Sequence, residues 1–168
     1  MNTPFRVGQG FDLHPWAPDR RLVLGGVEIP HEQGLLGHSD ADALTHAIID
    51  ALLGALGLGD IGQHFPDTDP AYQDADSQQL LTETQRMITQ EGWQVGNIDC
   101  TLVSDAPKMR PHIQAMQTQL GATLQIEPGC ISIKATRTEH VLFDPQKGLL
   151  AMATALLYRH PEEFLKMP

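Results

Sequence analysis

The stretch FDLHP sets Asp12 and His14 two residues apart, with Leu13 between them. On an extended strand, positions two apart share a face, so one carboxylate and one imidazole project together while Phe11 and Leu13 face the other way. A catalytic zinc typically takes three protein ligands from His, Asp, Glu or Cys and keeps a fourth position open. Two such groups are present, although polar residues at the end of an exposed strand would explain the pair equally well. A third is available in HSDADALTHAIIDALLGALGLGD, where Asp42, His46 and Asp50 recur every four residues along an otherwise apolar run. On a helix that spacing makes one polar stripe. The plain alternative for His46 is a core histidine bonded to a backbone carbonyl. The stripe, however, runs back toward His38 and Ser39, and polar groups converging on one end of a buried helix point to a site.

Other stretches offer weaker chemistry. A helix start exposes unpaired N–H groups and a positive dipole end, which together seat phosphate. Ser39 would add a hydroxyl there and His38 an imidazole; simple capping accounts for Ser39 but not for His38. FPDTDP holds Asp67 and Asp69 between Pro66 and Pro70. Those carboxylates suit the hydroxyls of a polyol or a second metal, or they are ordinary turn formers. KATRTEH ends a strand with Thr136, Thr138 and Glu139, hydroxyls for a phosphate and a carboxylate for Mg²⁺. APKM sets Lys108 beside a proline, where a solvated lysine is the bland reading.

Positioning these groups requires a set of elements. Phe5 to His14 alternates loosely and predicts a strand. RLVLGGVEIP predicts a hairpin about Gly25-Gly26. The apolar run predicts a buried helix capped by Ser39 or Asp40, with Asp40 and Asp42 in its first turn, ended by Gly57 and Gly59. GDIGQHFPDTDPAY reads as a loop. SQQLLTETQRMITQEG is an amphipathic helix closed by Gly92, and RPHIQAMQTQLG a helix stopped by Gly121. NIDCTLVSD and ISIKATRT alternate as strands. GLLAMATALLYR is helix by its Ala, Leu and Met content, or a closing strand by its position. The order predicts an α+β fold, a mixed β-sheet with helices packed on one face. With 168 residues and no linker or repeat, residues 1–168 are expected to form one domain.

Bulk composition narrows the partners. Net charge is -10, with 21 acidic against 11 basic residues, which argues against general nucleic-acid binding. Phosphate ligands are compatible with it, because a metal or helix end can reverse the local field. Cys100 and Cys130 have no metal-type spacing and read as reduced thiols. No apolar run is long enough for a membrane span and no signal peptide is visible, so the expected location is cytoplasmic.

Taken in order, RVGQGFDLHPW, GLLGHSDADALTHAIIDALLGALGLGDIGQHFPDTDP, DADSQQLL, APKM and KATRTE resemble the 2-C-methyl-D-erythritol 2,4-cyclodiphosphate synthase family of the non-mevalonate isoprenoid pathway. The match runs from Arg6 to Glu139. The resemblance implies a metal-dependent phosphorus-oxygen lyase. It would convert 4-diphosphocytidyl-2-C-methyl-D-erythritol 2-phosphate to the 2,4-cyclodiphosphate, with release of CMP. It implies a homotrimer, three sheets meeting around a trimer axis, with active sites at subunit interfaces. Asp12, His14 and His46 would ligate zinc, and Glu139 a Mg²⁺ or Mn²⁺. A catalytic His38, with Ser39, would hold phosphate and erythritol groups. Asp60, Ile61 and Gly62 would meet the ribose, and Phe65, Asp67 and Asp69 the erythritol. Ala106, Pro107, Lys108 and Met109 of a neighbouring subunit would cradle the cytosine, while Thr136 and Thr138 would serve the diphosphate and Phe143 keeps its place in the pattern. The resemblance also admits association with a cytidylyltransferase.

Three departures stand out. Arg137 occupies the position of a threonine that relatives use to stabilise the transition state, Asp105 stands where glutamine is common, and EHVLFDPQKGLLA differs from the usual continuation after the glutamate. Arg137 and that segment motivate an alternative function, a catalytically weakened nucleotide-binding or scaffolding trimer of the same fold.

Overall fold

In the computed structural model, which describes residues 3–69, 72, 75–139, 141, 144 and 147–159, the chain begins with the long strand β1 (Phe5–Pro18) and the short strands β2 (Leu22–Leu24), β3 (Val27–Ile29) and β4 (Gln33–Leu35). Three helices follow, α1 (Ala43–Leu56), α2 (Ile61–His64) and α3 (Ser77–Gln90). Then come β5 (Gln94–Val103), α4 (Ile113–Leu124), a 3₁₀ turn (Pro128–Cys130), β6 (Ile131–Thr136) and β7 (Gly148–Tyr158). The main sheet has the order β4-β1-β7-β5-β6, antiparallel except for the parallel β5–β6 pair. The hairpin β2–β3 stands apart, with Gly25 and Gly26 at its turn, both at positive φ as a tight two-residue turn requires.

GLLAMATALLYR resolves as strand β7, although its composition favours a helix. It lies between β1 and β5 and pairs with both, from Gly148 to Tyr158 against β1. Its Leu149, Ala151, Ala153, Ala155 and Leu157 are sealed against the helices. Two full ladders and a buried face outweigh a propensity difference of at most a few tenths of a kcal/mol per residue.

The helices lie on one face of the sheet. α1 packs across β1 and β7, α3 packs on α1, and α4 on α3 and β6. Gly8 and Gly10 allow α1 to approach β1 closely, since a Cβ on either would collide with the main chain of Ala51 or Ala47. α1 is buried nearly all round, as its composition predicts, and Gly57 ends it in a left-handed cap. The opposite sheet face leaves Phe5, Val7, Phe11 and Leu13 half or more exposed.

Four expectations need correction. β4 and α2 were not anticipated, and α2 falls inside the supposed loop. The cap of α1 is Asp42 rather than Ser39 or Asp40. Its carboxylate accepts Thr45 N at 2.9 Å, Thr45 Oγ1 at 2.7 Å, Gly25 N at 2.8 Å and Gly26 N at 2.7 Å. Burial pushes this carboxyl above its ordinary range, against those donors. Gly121 does not stop α4, which continues to Leu124 and ends at Gln125 with φ 57; its missing side chain instead makes room for Ile126 O, 2.9 Å from where a Cβ would sit. Cys100 and Cys130 are both free, and burial pushes the Cys100 thiol up to about 12. No described helix is long and apolar enough to cross a membrane.

Candidate metal centre and substrate pocket

The pleat of β1 delivers Asp12 and His14 to the α1 side, in the same phase as Gly8 and Gly10. His46 comes down from the first turn of α1 to meet them. His14 Nε2 lies 3.0 Å, and His46 Nδ1 3.1 Å, from the same oxygen, Asp12 Oδ2. Among the described residues these three form the one group of potential ligands that converges within 4.8 Å.

Hydrogen bonding decides which ring atoms face the convergence point. His14 Nδ1 sits 2.8 Å from Leu36 O, so Nδ1 donates there and Nε2 keeps its lone pair. That Nε2 is buried and, despite its closeness to Asp12, is not aligned for a hydrogen bond with it. An orphaned imidazole nitrogen beside a carboxylate and a second imidazole is a donor set that suits zinc. Burial would raise the Asp12 carboxyl, but the two imidazoles outweigh it and hold the group well below the ordinary carboxylate range. At His14 burial acts downward, and Asp12 with the Leu36 carbonyl outweighs it, so that imidazole stays protonated to higher pH than usual.

The triad closes one end of a cavity of about 380 Å³. Of the predicted substrate residues, His38, Ser39, Ile61, Gly62, Phe65 and Asp67 line it, with Asp50 and Tyr72 beside them. Asp50 explains how the loop reaches there, because its Oδ1 accepts Ile61 N at 2.7 Å and ties α2 to α1. Burial pushes the Asp50 carboxyl up, opposed by that N–H and aided by the charges of Asp60 and Asp12. Asp60 caps α2 through Gln63 N at 3.0 Å, and neither it nor Asp69 borders the cavity. The proposed polar stripe divides into three separate tasks: Asp42 clamps the β2–β3 turn, His46 joins the triad and Asp50 anchors α2. Asp42 accepts from Thr45 N at the start of α1, and Ser39 and His38 stand on the turn before it.

A second hollow of about 200 Å³ gathers Pro107, Lys108, Met109, Thr136 and the departing Arg137. It shares no residue with the first. Ala106 precedes a cis proline there, and its carbonyl accepts Ser104 Oγ at 2.7 Å. Thr138 is buried and donates its N–H to Asp105 Oδ1 at 2.8 Å, so the unusual Asp105 ties the loop before Ala106 to the end of β6. Glu139 follows, exposed and at φ 49. Phe143 lies outside the described residues. Two residues behind the triad, Asp40 and Ser77, were missed as site residues: Ser77 Oγ lies 2.9 Å from His46 Nε2 and bonds to Asp40, and nothing in their spacing linked them to His46.

The model of the YgbB family matches residues 5–158. A 2-C-methyl-D-erythritol 2,4-cyclodiphosphate synthase from Lysinibacillus sphaericus is 51% identical over 156 residues, covering 92% of this chain and 99% of the relative. Among solved structures, the bifunctional IspDF from Campylobacter jejuni superimposes with a TM-score of 0.88 at 37% identity, over 93% of this chain and 42% of that one. A 2C-methyl-D-erythritol-2,4-cyclodiphosphate synthase in its CDP-bound form gives 0.84 at 37% identity, over 90% of this chain and 99% of that one.

Proposed function

This chain belongs to the YgbB family of 2-C-methyl-D-erythritol 2,4-cyclodiphosphate synthases, and from that membership we propose how its own residues carry out the reaction. The enzyme converts 4-diphosphocytidyl-2-C-methyl-D-erythritol 2-phosphate to the cyclic diphosphate in isoprenoid biosynthesis. An oxygen of the 2-phosphate bonds to the β-phosphorus, and the bond from that phosphorus to the bridging oxygen breaks, so CMP leaves with its electron pair. A phosphate dianion is already a nucleophile, so the demand is to hold two anions together.

Asp12, His14 and His46 would hold zinc, which would supply positive charge to the substrate's diphosphate. The observation that supports this assignment best is the buried, unpartnered Nε2 of His14 facing Asp12 Oδ2 and His46 Nδ1. Ser39 and the catalytic His38 bind phosphate and erythritol oxygens from the cavity wall. Phe65 packs on the erythritol, and Asp67 accepts from its hydroxyls. Asp60, Ile61 and Gly62 receive the ribose. Ala106 to Met109 hold the cytosine, and Thr136 and Thr138 serve the diphosphate. Glu139 would hold a Mg²⁺ or Mn²⁺, which would offset the diphosphate's negative charge. Arg137 replaces a neutral donor with a fixed cation beside the phosphates.

The working form is a homotrimer of single-domain chains in the cytoplasm. Two features support association of chains: the apolar exposed face of β1, which needs cover, and the two hollows, which one chain leaves apart. Active sites then form where one subunit's metal pocket meets another's cytosine hollow. A cytidylyltransferase is a fitting partner, since in the bifunctional IspDF the matching region is 42% of a longer chain. The weakened scaffolding alternative is not favoured, because the metal triad is complete and the relatives are synthases.

The test is CMP release from the cytidylated substrate with Zn²⁺ and Mg²⁺, for the wild type and His46→Ala. The variant is expected to lose both zinc and turnover. Full zinc occupancy in the variant would refute the three-ligand assignment.

A further inference from the structure

The mechanism above leaves a polar pair, one buried and one half-buried, without a task. Ser77 opens α3 and is fully buried, and its neighbour Asp40 lies on the turn before α1. Asp40 Oδ1 accepts the Ser77 hydroxyl, and Oδ2 accepts Ser77 N at 3.0 Å. Asp40 also accepts Asp42 N at 3.1 Å, and its own N–H donates to Ala75 O at 3.2 Å. The carboxylate is thus fixed on both sides, and it offers no hydrogen of its own. The Ser77 hydroxyl must be the donor between them, which uses the one hydrogen it has.

Ser77 Oγ also lies 2.9 Å from His46 Nε2. With its hydrogen committed to Asp40, the hydroxyl is able only to accept there, so Nε2 must carry the proton. The lone pair of His46 is then left on Nδ1, the atom 3.1 Å from Asp12 Oδ2. Resting on the zinc reading of that site, we infer that Ser77 and Asp40 are positioning residues: they fix His46 as the Nε2–H tautomer and so present Nδ1 as a metal ligand. Ligating histidines generally donate their other N–H to an oriented acceptor, and loss of that acceptor weakens metal binding about 10–100-fold.

The same polarity reaches the substrate side. His46 Nε2 lies 3.1 Å from Ser39 Oγ, and Ala41 N donates to that oxygen at 3.4 Å. A protonated Nε2 has no lone pair to offer, so Ser39 Oγ is only an acceptor there, sharing the one Nε2 hydrogen with Ser77 Oγ. The Ser39 hydroxyl's own hydrogen is left for the cavity, where Ser39 is able to donate to a phosphate oxygen. Asp40 and Ser77 therefore set, through His46, the direction of a hydrogen bond they do not touch.

The experiment uses the whole protein. In zinc-loaded wild type, nitrogen–proton NMR of the imidazoles is expected to show His46 protonated at Nε2; a proton on Nδ1 overturns the inference with no variant needed. Zinc dissociation constants from chelator competition are then compared for wild type, Ser77→Ala and Asp40→Asn. Asparagine keeps the shape but turns one acceptor into a donor, so both variants should bind zinc about 10–100-fold more weakly. Melting of the metal-free proteins separates this from general destabilisation. Unchanged affinity in a folded Ser77→Ala overturns the inference while leaving the metal site standing. A wild type that binds no zinc removes the metal site itself, and the inference with it.

Discussion

Adding one methyl at Gly10 tests how β1 and α1 build the site. A Cβ there would press on the Ala47 carbonyl oxygen and lie 2.8 Å from both Ala47 C and Ala51 N. These are main-chain atoms of a buried helix, so no rotamer change relieves the clash, and α1 must shift outward by about 1.5 Å to reach ordinary contact distances. Overpacking of a filled core costs about 1–3 kcal/mol. A backbone obstacle belongs at the upper end, near ~3 kcal/mol, while the stiffer unfolded chain returns about 0.4–1 kcal/mol. The net loss expected for Gly10→Ala is ~2 kcal/mol, about a 30-fold drop in the folded-to-unfolded ratio. The assay is urea unfolding of metal-free protein, with a lower midpoint and an unchanged slope. Asp12 follows Gly10 on the same face and His46 adjoins Ala47, so their 3.1 Å separation must widen too. Metal ligands tolerate errors of only about 0.2 Å, so zinc affinity should fall at least ~10-fold. Gly54→Ala is the matched control. Its Cβ would meet nothing nearer than Gln9 O at 3.9 Å, and alanine there should stabilise the helix by up to about 1 kcal/mol. Stability of Gly10→Ala within about 0.5 kcal/mol of wild type, as for an ordinary surface change, would refute this account of the α1–β1 contact.

Three further outcomes are expected. The Asp12 carboxyl is lowered by folding, so its contribution to metal-free stability is present above the ordinary Asp value and disappears only in strong acid; His14 is raised, so its contribution is complete below its ordinary value and is lost as pH rises through the raised one. Metal-free protein should therefore lose stability on the alkaline side of about pH 6.5, and thermal melts of His14→Gln should lack that decline. Arg137→Thr removes a charge-assisted contact worth about 1.5–3 kcal/mol and should weaken CDP binding about tenfold or more by calorimetry; equal or tighter binding would show that the guanidinium does not reach the phosphates. Phe11→Asp places a charge on the exposed apolar face of β1 and should leave folded monomers in sedimentation; an intact trimer would place the subunit interface elsewhere.

Much of the fold was legible because its signals are local. Gly25-Gly26, the apolar run of α1 and Gly57 each act within a turn or two, and all three appear where the residues predict. The failures share a different cause. β7 carries a helix-favouring composition and is a strand because β1 and β5 flank it and α1 covers it. Gly121 has the look of a helix stop and is a contact with Ile126. Asp42 belonged to a promising stripe, yet its carboxylate is spent on amides 16 and 17 residues earlier in the chain.

The site divides the same way. Period-two alternation alone put Asp12 and His14 on one face, and the unusual His46 in an apolar helix marked the third ligand. Residue types and spacing thus pointed to the three groups that the fold brings together as a candidate ligand set. Tertiary structure decided everything directional about it. Leu36 O selects the nitrogen that His14 presents, Ser77 and Asp40 select the one that His46 presents, and Asp50 draws α2 to the cavity wall. These partners lie 11 to 37 residues apart in the chain. Hydrogen-bond polarity depends on which donor meets which acceptor in space, and sequence spacing carries no record of that once the separation exceeds a helical turn.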